Sequence, residues 1–503
     1  MMKTTHIIKY QSLSPWLLGI LVSLLAGTVA STGDFRLVAL FFAALCGLVA
    51  ALFPVPLFWL AIIVSFALAG LAQLYYPPLE LIRWTLIPIS AILVAHILIQ
   101  HFLTPPRQLN NDNMPLILWL LLAFILVNVI SAIVNLQNLA TVATGLKGYF
   151  QLWGLLFAMA LLNWNSELME RWLPRAIWIL ALIQVPFGLH QYFFVAPVRH
   201  GLERGIVPLD IVSGTFGGSL NGGGANAVLA VFMFIVWSCV LALWKSKVIS
   251  TSRMLLISAI LLAPVMINEA KVSIVYIVTV FLVTFRRDAF RNITRFLTVG
   301  ILTTGIVATM FVAYVRHAPE GKVETWYDLV TYTLEYNLLK DEAWGGKLSR
   351  GGILKLWIEE HGTVANTLLG YGVGATRSET PNLLSRRLGI KNPQSFGIGN
   401  LAVIAILWES GVIGFAIIAA LFVAAFRGAC KLERIYAANK EQSAIFLGLQ
   451  GAIVILYISL WHKNFFVFHI GYQAILVVLL GYLTYWLRQP GPAGAQALSE
   501  AHR

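Results

Sequence analysis

The sequence predicts an all-α, polytopic integral membrane protein with about fourteen transmembrane helices, and three observations carry that prediction. Hydrophobic residues make up 59% of the 503 positions, charged residues only 11%, and mean hydropathy is +0.80. A water-soluble domain of that composition would expose large apolar patches. Apolar runs of about 20 residues recur along the chain, the length at which a helix rising 1.5 Å per residue crosses a ~30 Å hydrocarbon core. These runs do not alternate in polarity, as the strands of a membrane barrel would.

Taken in order, the expected spans are 16–30, 37–53, 57–75, 84–103, 115–136, 145–162, 176–195, 223–244, 254–268, 272–285, 296–315, 400–426, 443–460 and 464–487. Lys3 and Lys9 precede the first run, as in a signal peptide, but no cleavage site follows, so the run reads as an uncleaved first helix. Residues 1–315 thus hold spans 1–11, residues 316–399 a large loop with amphipathic helices, residues 400–487 spans 12–14, and residues 488–503 a disordered tail containing Pro490-Gly-Pro.

Charge sets the orientation. With the N-terminus in the cytoplasm, eighteen Lys and Arg fall in cytoplasmic segments and seven in the short outer ones, as the positive-inside rule requires. Both termini are then cytoplasmic and the large loop extracytoplasmic. The formal charge of +13 is what topology and anionic headgroups demand, so nucleic acid is not an expected partner. Cys46, Cys239 and Cys430 sit in or at the ends of spans without CxxC or Cys/His spacing, so neither a disulfide framework nor a metal is expected.

Two outer segments exceed what a connection needs. Residues 196–222 carry Arg199, Arg204 and the Gly-rich run from Ser213, and residues 316–399 form a loop of 84 residues, a size that is usually functional. Within the loop, Leu348 to His361 reads as a surface helix with Arg350, Leu354, Trp357 and His361 on one face. Cations gather on this side: Arg199, Arg204, Lys271, Lys347, Arg350, Arg377, Arg386, Arg387 and Lys391. Arginine suits a diphosphate because its planar fork donates paired hydrogen bonds. Nine acids in the same loop make most of its charges read as an ordinary solvated surface, with Arg350 and Lys271 set apart from that reading. Lys271, in Asn268-Glu-Ala-Lys between two apolar spans, and Glu409, inside span 12, are costly there and so are functional candidates. Asn221-Gly-Gly-Gly-Ala-Asn226 leads into a helix whose amides offer an anion site; an ordinary Gly-rich turn fits equally.

Four features together resemble the O-antigen ligase and O-antigen polymerase superfamily, membrane glycosyltransferases of the GT-C type. They are Val212-Ser-Gly-Thr-Phe-Gly-Gly with Asn226; Lys271; Arg350-Gly-Gly-Ile-Leu354; and Gly370-Tyr-Gly-Val-Gly374 followed by Asn400 and Leu407-Trp-Glu-Ser-Gly-Val-Ile-Gly414. The resemblance implies metal-independent, inverting transfer of a glycan from undecaprenyl pyrophosphate at the periplasmic face, with no cofactor and with membrane lipids and a chain-length regulator as partners. Arg350 and Lys271, with Arg199 or Arg204, would clamp the diphosphate, and Asn226, Arg377, Asn400 and Glu409 would line the substrate site. The ligase pattern puts a histidine directly before Asn400, where this chain has Gly399, which favours a polymerase over a ligase. For the base, His361, Glu359, Glu360, Glu379, Glu269 and His462 stay open, with His361 favoured as the acceptor-side group. A transporter or flippase is the alternative from another class, and an envelope scaffold a third.

Overall fold

The computed structural model describes residues 52–103, 114–198, 208–218, 225–268, 270–316, 348–377, 382–390 and 397–489, with single positions elsewhere. Met1–Leu60 forms one compact unit and Ala61–Arg503 the other. The described residues are helical, without a β-strand, and nine of their helices are long and apolar enough to cross a membrane.

In chain order the helices are α1 (Pro54–Tyr75), α2 (Pro77–Phe102), α3 (Leu116–Val134), α4 (Leu139–Phe150), α5 (Trp153–Leu161), α6 (Leu168–Val198), α7 (Asn226–Lys245), α8 (Thr251–Ile267), α9 (Ser273–Phe285) and α10 (Ile293–Arg316). In the large loop follow α11 (Arg350–Glu360), α12 (Val364–Leu369) and α13 (Leu383–Arg387), then α14 (Ala402–Ile435), α15 (Lys440–Leu460) and α16 (Ile470–Arg488). Eleven expected spans are recovered as helices with shifted ends, two of them, α8 and α9, shorter than a full crossing. The expected span 145–162 is replaced by α4 and α5, broken at Gln151–Leu152. Spans 16–30 and 37–53 and the tail beyond residue 489 lie essentially outside the described residues.

The innermost helices are α7 and α16, apolar on every side and buried along nearly their whole length. A helix hydrophobic all round belongs at the centre of a bundle, where packing supplies most of its stability. At the end away from the large loop, ion pairs tie the helix termini together: Arg287 grips Glu433 through both carboxylate oxygens at 2.7 and 3.1 Å, and Lys245 pairs with Asp288 at 3.0 Å. Gln450 donates to Glu433 at 2.8 Å and receives Arg286, so these charges are neutralised within the fold.

At the loop end, α14 is not one continuous helix. Gly411 has φ +66° and ψ −169°, a left-handed conformation that glycine reaches without steric cost. The break frees backbone groups, and the loop segment after α12 takes them: Tyr371 N–H donates to Trp408 O at 2.7 Å and Gly372 N–H to Glu409 O at 3.0 Å. From α3, Ser131 Oγ donates to Leu369 O and Glu409 O, and Asn135 Nδ2 to Gly370 O. The motif pieces around Gly370 and Glu409, distant in sequence, are therefore one backbone junction.

Candidate functional site

The Gly-rich segment folds against polar side chains of α6. Gln191 Oε1 accepts the Ser213 and Gly214 N–H groups at 2.9 and 2.7 Å, and Gln191 Nε2 donates to Gly214 O at 2.6 Å. Gln184 Oε1 accepts Thr215 N–H at 2.8 Å, while Thr215 Oγ1 donates to Phe66 O at 2.5 Å. Gln191 opens a π-helical turn, Gln191–Val195, which aims its amide at the loop. The amides that a phosphate-binding loop needs are thereby occupied, so at 213–215 the segment is a fastened turn and not an anion cradle. Asn226 is engaged as well: its Nδ2 donates to Asn268 O at 2.9 Å and Asn268 Nδ2 returns the bond at 3.0 Å. This reciprocal pair locks the start of α7 to the turn that bears Lys271. Residues 219–224 lie outside the described residues.

Beside this turn, the 461–469 connection between α15 and α16 brings basic groups to the first residue of α11. Ser349 caps α11 by accepting Gly352 N–H at 3.0 Å, which sets Arg350 at the helix start. The Arg350 guanidinium acts electrostatically on Tyr276, His462 and Lys463, and Asp210 acts on Lys463. Burial is the main influence on each: it lowers the Arg350 pKa, with Tyr276 partly offsetting, and lowers that of Lys463, where Asp210 opposes the shift and Arg350 adds to it. His462 is pushed well below the usual histidine range by burial, then by Arg350 and Lys463. Lys463 is nonetheless accessible to solvent. These couplings bring the 461–469 connection, the start of α11 and Tyr276 of α9 together as one basic cluster, which we call the basic recess.

Among the described residues the buried polar atoms His462 Nδ1, Asn464 Oδ1 and Tyr276 Oη have no hydrogen-bond partner, which is uncommon for polar groups out of water. Asn464 binds the same connection to the head of α14, with its N–H on Asn400 O at 2.8 Å and its Nδ2 on Gly399 O at 2.7 Å. His469 closes the floor: its Nδ1 accepts Tyr472 N–H at 3.3 Å, and its ring meets Phe216 edge-on at 6.4 Å. Burial pushes the His469 pKa down to about 4. Four basic residues thus crowd one recess, with Asp210 the acid that acts on Lys463. Among the described residues no three His, Cys, Asp or Glu side chains gather as a metal site would require.

Glu409 and Arg377 occupy a separate, sealed position. Glu409 is 0% exposed, and its Oε1 accepts Thr376 N–H at 3.2 Å and the Thr376 hydroxyl. The Arg377 Nε lies 3.9 Å from the same oxygen, and the Arg377 side chain is 7% exposed. Its guanidinium is sandwiched between the Tyr149 and Phe468 rings at 5.6 and 5.3 Å. The helix break and the Gly370 junction bury these two charges together.

The nine residues expected at the site therefore separate. Arg350 stands in the recess, and Lys271 lies on the turn that launches α9, the helix of Tyr276. Asn400 contributes its carbonyl to the Asn464 clasp and keeps its side chain exposed. Arg377 and Glu409 are given to each other. His361 ends α11, its Nδ1 against Ile358 O at 2.9 Å and Trp357 O at 3.2 Å, with its ring 5.6 Å from that of Trp357. Of the other loop charges, Arg387 pairs with Glu360 at 3.2 Å. Arg199, Arg204, Lys347, Lys391, Glu269 and Glu379 lie outside the described residues. Lys463 was not singled out by the sequence, where it serves only as a topological charge; its proximity to His462, a candidate base, was the available signal. No protein-family model matches the chain, and no curated protein is similar to it beyond chance.

Proposed function

We propose that the basic recess binds the diphosphate of a polyprenyl-linked glycan and that the protein polymerises such repeat units by metal-independent, inverting glycosyl transfer, as a GT-C-type enzyme of about fourteen spans at the periplasmic face of a bacterial inner membrane. The observation that carries this reading is the convergence of Arg350, at the start of α11, with His462 and Lys463, both on the 461–469 connection, in one basic cluster where burial weighs on each and Lys463 still reaches solvent. Like charges brought together out of water cost free energy unless an anion joins them, and a diphosphate leaving group needs such stabilisation as its charge develops. The resemblance of the Arg350-Gly-Gly-Ile-Leu354 segment and the Gly370 and Glu409 motifs to the O-antigen polymerase and ligase superfamily supports the same reading.

In this mechanism an acceptor hydroxyl oxygen attacks the anomeric carbon as the bond from that carbon to the diphosphate oxygen breaks. Arg350 and Lys463 hold the departing diphosphate, with Lys271 joining from the α9 turn. His462, neutral because of its surroundings and with Nδ1 unengaged, takes the hydroxyl proton. A largely apolar groove of about 320 Å³, with Phe66 and Phe232 among its lining residues and Glu170, Arg171, Arg175 and Glu441 also lining it, runs between α1, α6, α7, α15 and α16. Phe66 and Phe232 both pack on Phe216, beneath the recess, so the groove offers the prenyl tail a lateral path.

The test is reconstitution with a polyprenyl-diphosphate repeat unit, scoring chain growth for Arg350→Ala, Arg350→Lys, Lys463→Gln and Lys271→Ala. Loss of growth in Arg350→Ala and Lys463→Gln, with substrate still present in the liposome, supports the clamp. Full growth by both sinks it.

A transporter reading draws on one observation, the broken α14 beside the buried Glu409–Arg377 pair, since discontinuous helices and paired interior charges mark transport sites. The two readings part on one measurement: a transporter moves the intact lipid-linked unit across a bilayer without changing its mass.

A further inference from the structure

We infer that a second, independent site at the opposite end of the bundle binds an anionic glycerophospholipid of the leaflet at that end. A cleft of about 500 Å³ lies between the start of α3, the last third of α14 and Leu487 of α16. Arg427 and Lys431, one helical turn apart on α14, line its mouth and are exposed. Neither forms an ion pair among the described residues, and the lining contains no acid. That contrasts with the neighbouring cations Lys245 and Arg287, which are paired with Asp288 and Glu433.

Below the two cations the cleft is apolar. Ala420, Ala424 and Gly428, spaced four apart, leave a shallow channel along α14 opposite Ile117 and Leu120 of α3. Measured from the break at Gly411, Arg427 and Lys431 lie roughly 24 and 30 Å along the helix at 1.5 Å per residue, close to where a ~30 Å hydrocarbon core ends. A phosphate between two cations at headgroup depth with an acyl chain in a small-residue channel satisfies both halves of the cleft, and basic pockets between membrane helices bind lipid head groups this way. A soluble anion would leave the channel unused; a neutral lipid would leave the charges unanswered.

The full chain, purified in detergent, would be titrated with phosphatidylglycerol, with phosphatidylcholine and with glycerol 3-phosphate, reading binding by native mass spectrometry and by thermal shift. The expected result is retention of phosphatidylglycerol in preference to phosphatidylcholine. Arg427→Gln with Lys431→Gln should weaken phosphatidylglycerol roughly 30-fold, from about a charge contact each, and leave phosphatidylcholine unchanged. Ala424→Leu, which fills the channel and keeps both charges, should also lose the preference. Equal binding of the two lipids, an unaltered double variant, or glycerol 3-phosphate performing as well as the lipid would each overturn the proposal. So would binding that appears only in Asp112→Asn, since Asp112, two positions before Met114, would then be the natural occupant.

Discussion

Burial first, and then the Arg350 guanidinium, disfavour the protonated form of the Lys463 amine, although Arg350 opens a loop helix and Lys463 lies between two helices of the bundle. The lowered Lys463 pKa has a sign that can be measured. The ammonium is present below its pKa and lost as pH rises through it, so binding of a lipid diphosphate should weaken on the alkaline side, earlier than an ordinary lysine would give. Lys463→Arg should move that limb to higher pH in a pH profile of binding. An unmoved limb would remove Lys463 from the recess chemistry.

His469 predicts acid lability. Its folded pKa of about 4 lies below the ordinary histidine value, so the unfolded chain binds the extra proton first as pH falls. Its contribution to stability is complete above about pH 6.5 and declines from there down to about pH 4. His462 adds to the same trend. Thermal unfolding in detergent at pH 7.5, 6, 5 and 4 should show a falling midpoint, with a shallower decline in His469→Gln. Equal slopes would mean the ring is already protonated in the fold.

Removing one partner of the sealed pair should be costly. Glu409→Gln leaves Arg377 buried without its carboxylate and should destabilise the protein by about 3–5 kcal/mol, whereas Glu409→Gln with Arg377→Met should recover part of the loss. Chemical unfolding of both variants in matched detergent decides the matter, and an additive double variant would show that the two charges do not depend on each other.

The Gln191 amide carries three hydrogen bonds to the Gly-rich turn. Gln191→Leu strands the buried Ser213 and Gly214 N–H groups, at about 1–3 kcal/mol for each group left unsatisfied. Protease nicking near residues 213–218 should then become faster than in the parent chain. Resistance equal to the parent would mean that other contacts hold the turn.

The membrane spans were legible because an apolar run long enough to cross lipid is a local property of the chain. The break at Gln151 was not: the Gln151 Nε2 donates to Gln473 Oε1 at 2.7 Å, and Gln473 in turn reaches Gly148 O, so the interruption serves a partner far along the sequence. Arg350 stood out as a candidate because its charge sits in a loop where topology did not ask for one, and the structure places it beside His462 and Lys463. Lys463 was not, since an outward lysine between two spans looks the same whether it faces open water or a recess built by α11 and α9. Arg377 was read as a ligand group because sequence reveals a charge and its approximate depth, not the carboxylate waiting behind it.

The Gly411 break fastens one stretch of the large loop to the bundle. A Cβ at Gly411 would run into the Leu368 carbonyl, and residues 369–372 hand their backbone groups to α14 and α3, so the loop's closing stretch is riveted to the bundle. Amide protons of Tyr371 and Gly372 should exchange with deuterium as slowly as those of the bundle interior. A cross-link between this stretch and α14 should therefore leave the proposed glycosyl transfer untouched.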